Sequence, residues 1–348
     1  MKKLFFLIFV LPLLSCARRP NIIINESTFP DYNFREFVLS QWYVEDGVIT
    51  SSEFSEIEFL CPSDKGIHDL TGIEYFTEIK ELNCDRNMLV SLDLTNNTKL
   101  KKIDCDKNNI ISLNLTNNTK LELLSCQDNQ LSSLDVSKNV KIQCIDCDCN
   151  RLTRIDLSAN TALTSLFCEC NQLTTIDLSM NLNLKNVFIN NNQLKSLDVS
   201  KLTKLEHLSC SENKLTEVDV TNNVSLKRLS CSKNQISTLD VSQNLSLDDL
   251  SCGDNKLKTL DISKNKCLKG LSISNCQFSS IDLSNNKALI SLYCFGNQLS
   301  KLDLSHNEAL KLLWCYDNPL TELDLSNNKQ LYELRTKSAS RNEIKQNN

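Results

Sequence analysis

A chain of 348 residues with 41% apolar residues, six glycines and five prolines is too hydrophobic to be disordered and too poor in glycine to be fibrous. Its formal charge of -5 leaves no basic footprint for a nucleic acid. Seventeen cysteines would suggest a disulfide framework in an exported protein, but ten of them follow a strict period instead.

Export is legible at the start of the chain. Met1-Lys2-Lys3 is followed by an apolar run from Leu4 to Leu14, too short to span a bilayer and built like a secretory signal. Leu13-Leu14-Ser15-Cys16 resembles a bacterial lipobox, which makes residues 1–15 a lipoprotein signal peptide and Cys16 the lipidated residue. Ser15-Cys16-Ala17 also fits ordinary cleavage after Ala17. A lipid-anchored chain without a second apolar run would be an outer-membrane lipoprotein, facing the periplasm or the cell surface.

Residues 16–66 form an anchor and cap region, irregular and rich in aromatics, expected to cover the first turn of a repeat array with a small α-helical cap. Within it, Glu45 to Glu53 is similar to the back half of a calcium loop, with Gly47 at the loop's glycine. Trp42 and Val44 then stand where two carboxylates belong, so the segment reads as a degenerate loop retained as a cap, without metal.

Residues 67–336 read as a repeat solenoid, and between Ile79 and Thr336 the chain repeats itself every 21 residues. Counting Leu100 as position 1, Ile103 is position 4, Cys105 position 6, Asn108 position 9, Leu113 position 14, Leu115 position 16 and Asn118 position 19. Cys84, Cys105, Cys126, Cys147 and Cys168 keep this step, and the phase resumes at Cys210. Such a pattern predicts a repeat solenoid of the leucine-rich repeat kind: narrow, right-handed, with little helix and two short parallel β-strands per turn. Stacked rungs about 4.8 Å apart turn each position into a column. The position-6 cysteines, replaced by Ile189 and Ile273 on two rungs, are expected to be buried, reduced and inert. The asparagines at positions 9 and 19 are expected to pair the backbone of the turns, with lapses at Leu202 and Cys276.

Residues 67–336 resemble the bacterial leucine-rich repeat family with nested 21-residue units, and Ile67-His68-Asp69-Leu70-Thr71-Gly72 to Phe76 resembles the opening repeat of internalin-like proteins. The resemblance implies interaction roles at the cell surface or in the periplasm and carries no catalytic residues.

Two outward faces differ. Position 15 is Asp in every turn from Asp93 to Asp324 except Asn114, which reads as local capping, with a cation-collecting array as the alternative. On the first strand, outward positions change from turn to turn. Phe167 and Phe188 stack on adjacent rungs, and Tyr293, Trp314, Phe295 and Tyr316 make a two-by-two aromatic patch. This patch is the first candidate partner-binding site, for a protein or a glycan, and the phenylalanine pair the second. A structural scaffold that self-associates is the alternative. Cys149 and Cys170, off the buried column, are candidates for a disulfide across adjacent turns, with Cys144 nearby. The scattered His68, His207 and His306, with no triad or phosphate loop in register, predict no enzyme and no cofactor. The polar tail, 337–348, carries no wall-anchoring motif.

Overall fold

The computed structural model describes residues 21–41, 44 and 46–337; the signal segment, Cys16, Trp42, Glu45 and the tail beyond Lys337 lie outside them. Every turn of the repeat contributes one three-residue strand, from β4 (Glu81–Asn83) to β16 (Glu333–Arg335). With β3 (Phe59–Leu60) at the front, these build one parallel sheet of 14 strands in chain order. Register is strict: Leu82 pairs with Ile103, Ile103 with Leu124, and Leu124 with Ile145. No strand steps forward or back along its neighbour, so equivalent positions of successive turns lie directly above one another. The central residue of each strand and the cysteine two positions on point inward, which places Ile103 and Cys105 at 1% and 0% exposure.

After each cysteine the chain must bend within two residues. It does so through a column of left-handed backbone, with φ between 51° and 56° from Arg86 to Asp317 at non-glycine residues. The next residue is the position-9 asparagine, which secures the bend. Asn129 Oδ1 accepts the Ile110 N–H (3.0 Å), and Nδ2 donates to the carbonyls of Cys105, Cys126 and Gln127 (3.0–3.1 Å). One amide thus serves its own turn and the previous one, as an interior without water requires. The second column works the same way on its donor side: Asn118 Nδ2 donates to the carbonyls of Leu94 and Asn97. Its Oδ1 finds no partner, here or on the neighbouring rungs. At Cys276, a lapse in the first column, the thiol stands in by donating to the Cys252 carbonyl at 3.6 Å.

The second strand expected in each turn does not form. Only an isolated bridge, Asp93 to Asn114, marks its place among the described residues. Positions 14 and 16 point inward as a strand would set them, with Leu134 at 6% and Val136 at 0% exposure. The aspartate between them turns back on its own backbone: Asp135 Oδ1 accepts the Ser137 N–H at 2.9 Å, and Asp93 Oδ1 the Thr95 N–H at 3.0 Å. This local bond competes with the ladder, and the chain turns instead of extending.

The cysteine column lies in the core as free thiols. Cys105, Cys126 and Cys147 point Sγ at carbonyls of the next rung, each at 3.4 Å. Burial raises the pKa values of Cys105, Cys126 and Cys210, the last pushed up to about 12, which disfavours the reactive thiolate there.

One end of the solenoid is closed. Helix α1 (Tyr32–Leu39) and helix α2 (Ser51–Glu56) cover the first turn, joined by a two-stranded ribbon of β1 (Ile22–Ile23) and β2 (Val48–Ile49). Phe29, Phe34, Phe54 and Phe76 are buried to within 1% beneath them. Asp31 caps α1 through the Phe34 N–H and also accepts the His68 N–H at 2.8 Å, which ties the helix to the first repeat. Glu53, at the end of the calcium-like segment, bonds the Thr50 N–H at 2.7 Å and closes a capping box on α2. Its carboxylate thus serves as a helix cap.

Candidate functional site

Outward side chains stand at positions 3, 5 and 7 of each turn, and positions 5 and 7 form two lanes flanking the buried cysteine column. Their chemistry changes in blocks along the solenoid. Asp85, Asp104, Asp106, Asp146, Asp148 and Glu169 make the first part acidic. Serines and Asn190 follow, with hydroxyls bonded across rungs, Ser211 to Ser230 and Ser232 to Ser251, each at 2.8 Å. The aromatic block comes last.

Within it, Phe295 and Tyr316 stack face to face, centroids 4.5 Å apart and planes 7° from parallel. Tyr293 meets Trp314 edge to face, at 5.1 Å and 87°. The four rings expected from the sequence come together, half-buried, as one slab with a flat part and an angled part. Phe167 and Phe188 form a separate stack, 5.1 Å apart and 9° from parallel, on the border of the acidic block.

Two members of the site were not anticipated. The Arg335 guanidinium lies 3.9 Å over the Trp314 ring, and Glu333 accepts the indole N–H at 2.8 Å. Trp314 is thereby fixed in place, with one face and its only donor already engaged. The sequence signal was present: both residues lie on the rung after Trp314, at the outward positions 3 and 5, which change from turn to turn.

The acidic block was also missed as a block. Asp106 accepts from the Ser125 hydroxyl and the Gln127 N–H, both at 2.8 Å, while burial and then the charges of Asp104 and Asp146 push its pKa up to about 6. Asp146 and Asp148 are pushed to about 6 by burial first and then by the neighbouring carboxylates. A carboxyl raised in the folded state binds its proton more tightly there than in the unfolded chain. Its contribution is fully present below about pH 4 and is lost as pH rises through about 6. The aspartates of the opposite face, such as Asp135, are held low by the Ser137 N–H and hydroxyl, so their contribution is lost only as pH falls below the ordinary carboxylate range. We therefore expect the melting temperature to rise between about pH 7.5 and pH 5. Replacing Asp106, Asp146 and Asp148 together by Asn should flatten that profile and raise the melting temperature at the higher pH. Circular dichroism melts would read both effects, and an unchanged slope in the triple variant would count against the assignment.

On the opposite face, each position-15 carboxylate is occupied with its own turn, as expected for local capping. Among the described residues no three His, Cys, Asp or Glu side chains are grouped to hold a metal, and no helix is long and apolar enough to cross a membrane. Cys149 and Cys170 lie exposed on adjacent rungs as free thiols in the left-handed column. Desolvation, followed by a hydrogen bond with its Cys170 neighbour, raises the pKa of Cys149.

No protein-family model matches the chain, and no curated protein matches it. Solved structures do. The functional domain of InlJ from Listeria monocytogenes, described as including a cysteine ladder, is 32% identical, with a TM-score of 0.84 over 91% of this chain and 76% of that one. An internalin, InlF, also from Listeria monocytogenes, is 26% identical with a TM-score of 0.78, covering 91% and 97%. A leucine-rich repeat protein of Leptospira interrogans is 26% identical with a TM-score of 0.71, covering 75% and 73%.

Proposed function

The chain belongs to the internalin-type leucine-rich repeat proteins of bacteria, and from that premise we propose that its sheet face recognises a protein partner. Tyr293, Phe295, Trp314 and Tyr316 are the anchors in this reading, and Phe167 with Phe188 is a second contact. One observation carries it: four rings gathered on the outward side of a sheet whose lanes at positions 5 and 7, apart from the Phe167–Phe188 pair, hold mostly acids, amides and hydroxyls. Large, rigid side chains already held in place lose little entropy on binding, which is why such residues dominate interfaces. We also propose that the protein is exported and anchored by lipid at Cys16 in the outer membrane. Palmitate labelling that persists in a Cys16→Ser variant would end that part of the reading.

Recognition is tested by capture from host and bacterial extracts, with the wild type beside a variant carrying Ala at Tyr293, Phe295, Trp314 and Tyr316. The four side chains are half-buried on the surface, so the variant should keep its fold by circular dichroism. We expect its affinity for the captured protein to fall at least ~30-fold, the effect of losing about 2 kcal/mol from a hot spot. Equal capture by both would remove the patch from the proposal. Retention that is competed by free sugars would favour a glycan as the ligand.

A further inference from the structure

The two ends of the solenoid are finished differently. At the far end, Leu320, Leu323, Leu325, Leu331 and Leu334 are only partly buried, whereas their counterparts one turn back, such as Leu310 and Leu313, are fully enclosed. Among the described residues β16 pairs only with the strand before it, β15 (Leu312–Trp314). Its orientation is fixed by that pairing: the Glu333 N–H donates to the Lys311 carbonyl, and the Arg335 carbonyl accepts from the Cys315 N–H. Residues 333 and 335 thus face β15, and by strand alternation Leu334 turns its N–H and C=O to the open edge.

We propose that this edge is an interface with a second copy of the chain, in a tail-to-tail dimer across a two-fold axis at Leu334. An axis perpendicular to the sheet sets β16 antiparallel to its twin and makes the sheet continuous. Leu334 then exchanges both backbone bonds with Leu334 of the other protomer, which is the hydrogen-bonded pair of an antiparallel ladder. The same register places Glu333 opposite Arg335 of the other protomer, and Arg335 opposite its Glu333. The short strand Glu333-Leu334-Arg335 is complementary to itself in charge, as an isologous contact requires. The open leucines of the two last turns close on each other. Residues 338–348, Ser-Ala-Ser-Arg-Asn-Glu-Ile-Lys-Gln-Asn-Asn, offer Ile344 as their one large apolar side chain, too little to fill the space beneath five leucines.

The test is sedimentation equilibrium of the full chain over a range of micromolar concentrations. Wild type should form a dimer. Glu333→Arg alone or Arg335→Glu alone sets like charges opposite each other twice per interface, and each should weaken the dimer about tenfold or more. The double variant, Glu333→Arg with Arg335→Glu, restores complementarity and should restore the dimer, which no loss of folding could mimic. A wild type that is monomeric throughout would overturn the proposal, as would a dimer unaffected by either single reversal. If the wild type is monomeric and deleting residues 338–348 makes it dimerise, the tail is the occupant and the second copy is not.

Discussion

Replacing Asn129 by Ala is expected to lower the unfolding free energy by about 3 kcal/mol, more than any surface change in the repeats. The loss has an identifiable origin. Asn129 is 8% exposed and serves four backbone groups, the Ile110 N–H and three carbonyls from two turns. Alanine cannot replace any of these bonds, and water cannot enter without opening the stack. Each buried group left unpaired costs about 1–3 kcal/mol, reduced where a carbonyl keeps another partner. Asn129→Asp should be worse, because an acceptor-only carboxylate would face three carbonyl oxygens. Asn109, exposed on the rung below, donates none of these bonds, and Asn109→Ala should stay within about 0.5 kcal/mol. Urea unfolding of the three variants would decide the matter. Equal midpoints for Asn129→Ala and Asn109→Ala would show that the column is decorative.

The second large effect belongs to the closed end. Phe29→Ala should cost about 3–5 kcal/mol, the range for emptying a fully buried aromatic site. Phe29 is 0% exposed and packs against Phe34, Tyr75 and Phe76, with ring centroids 5.6–6.3 Å away. It also lies against the Gly72 backbone, where a Cβ would come 2.3 Å from its ring and φ is 107°. Neither partner can move to fill the gap, because the turn at Gly72 opens the first repeat. Phe59, 57% exposed on the same cap, supplies the control. In hydrogen exchange, Phe29→Ala should raise the rates of amides between residues 67 and 82 first and leave the last turns unchanged. Uniform acceleration along the chain would mean that the cap and the stack unfold as one.

The sequence carried the solenoid because its code is redundant. Leucine, cysteine and asparagine recur at fixed steps, and each recurrence answers the same requirement of burial or backbone pairing. The missing second strand shows where the code is ambiguous. Leu134-Asp135-Val136 alternates as a strand does, but an aspartate that can bond the N–H two residues on prefers a turn. Of the site, the aromatic rings were legible because each differs sharply from the small residues usual in its lane. The acidic block was not, because aspartate is common everywhere in this chain. Only comparing the two lanes rung by rung separates Asp106, Asp146 and Asp148 from the capping aspartates of the other face. Arg335 and Glu333 escaped for a different reason: their importance lies in contact with Trp314 on the rung before, which no spacing within one turn reveals.

Strict register has a further consequence. Since each rung touches only the rungs beside it, with every inward and outward position recurring on the next rung, the gene can lose or gain one whole turn without creating a mismatched seam. Away from the lapses at Ile189, Leu202, Ile273 and Cys276, excising a single turn would set Leu, Cys and Asn onto Leu, Cys and Asn again. The distance between the phenylalanine stack and the aromatic slab could therefore change by single storeys over evolutionary time, each about 4.8 Å. A molecule of this kind can be re-spaced to a new ligand by recombination alone, before any contact residue mutates.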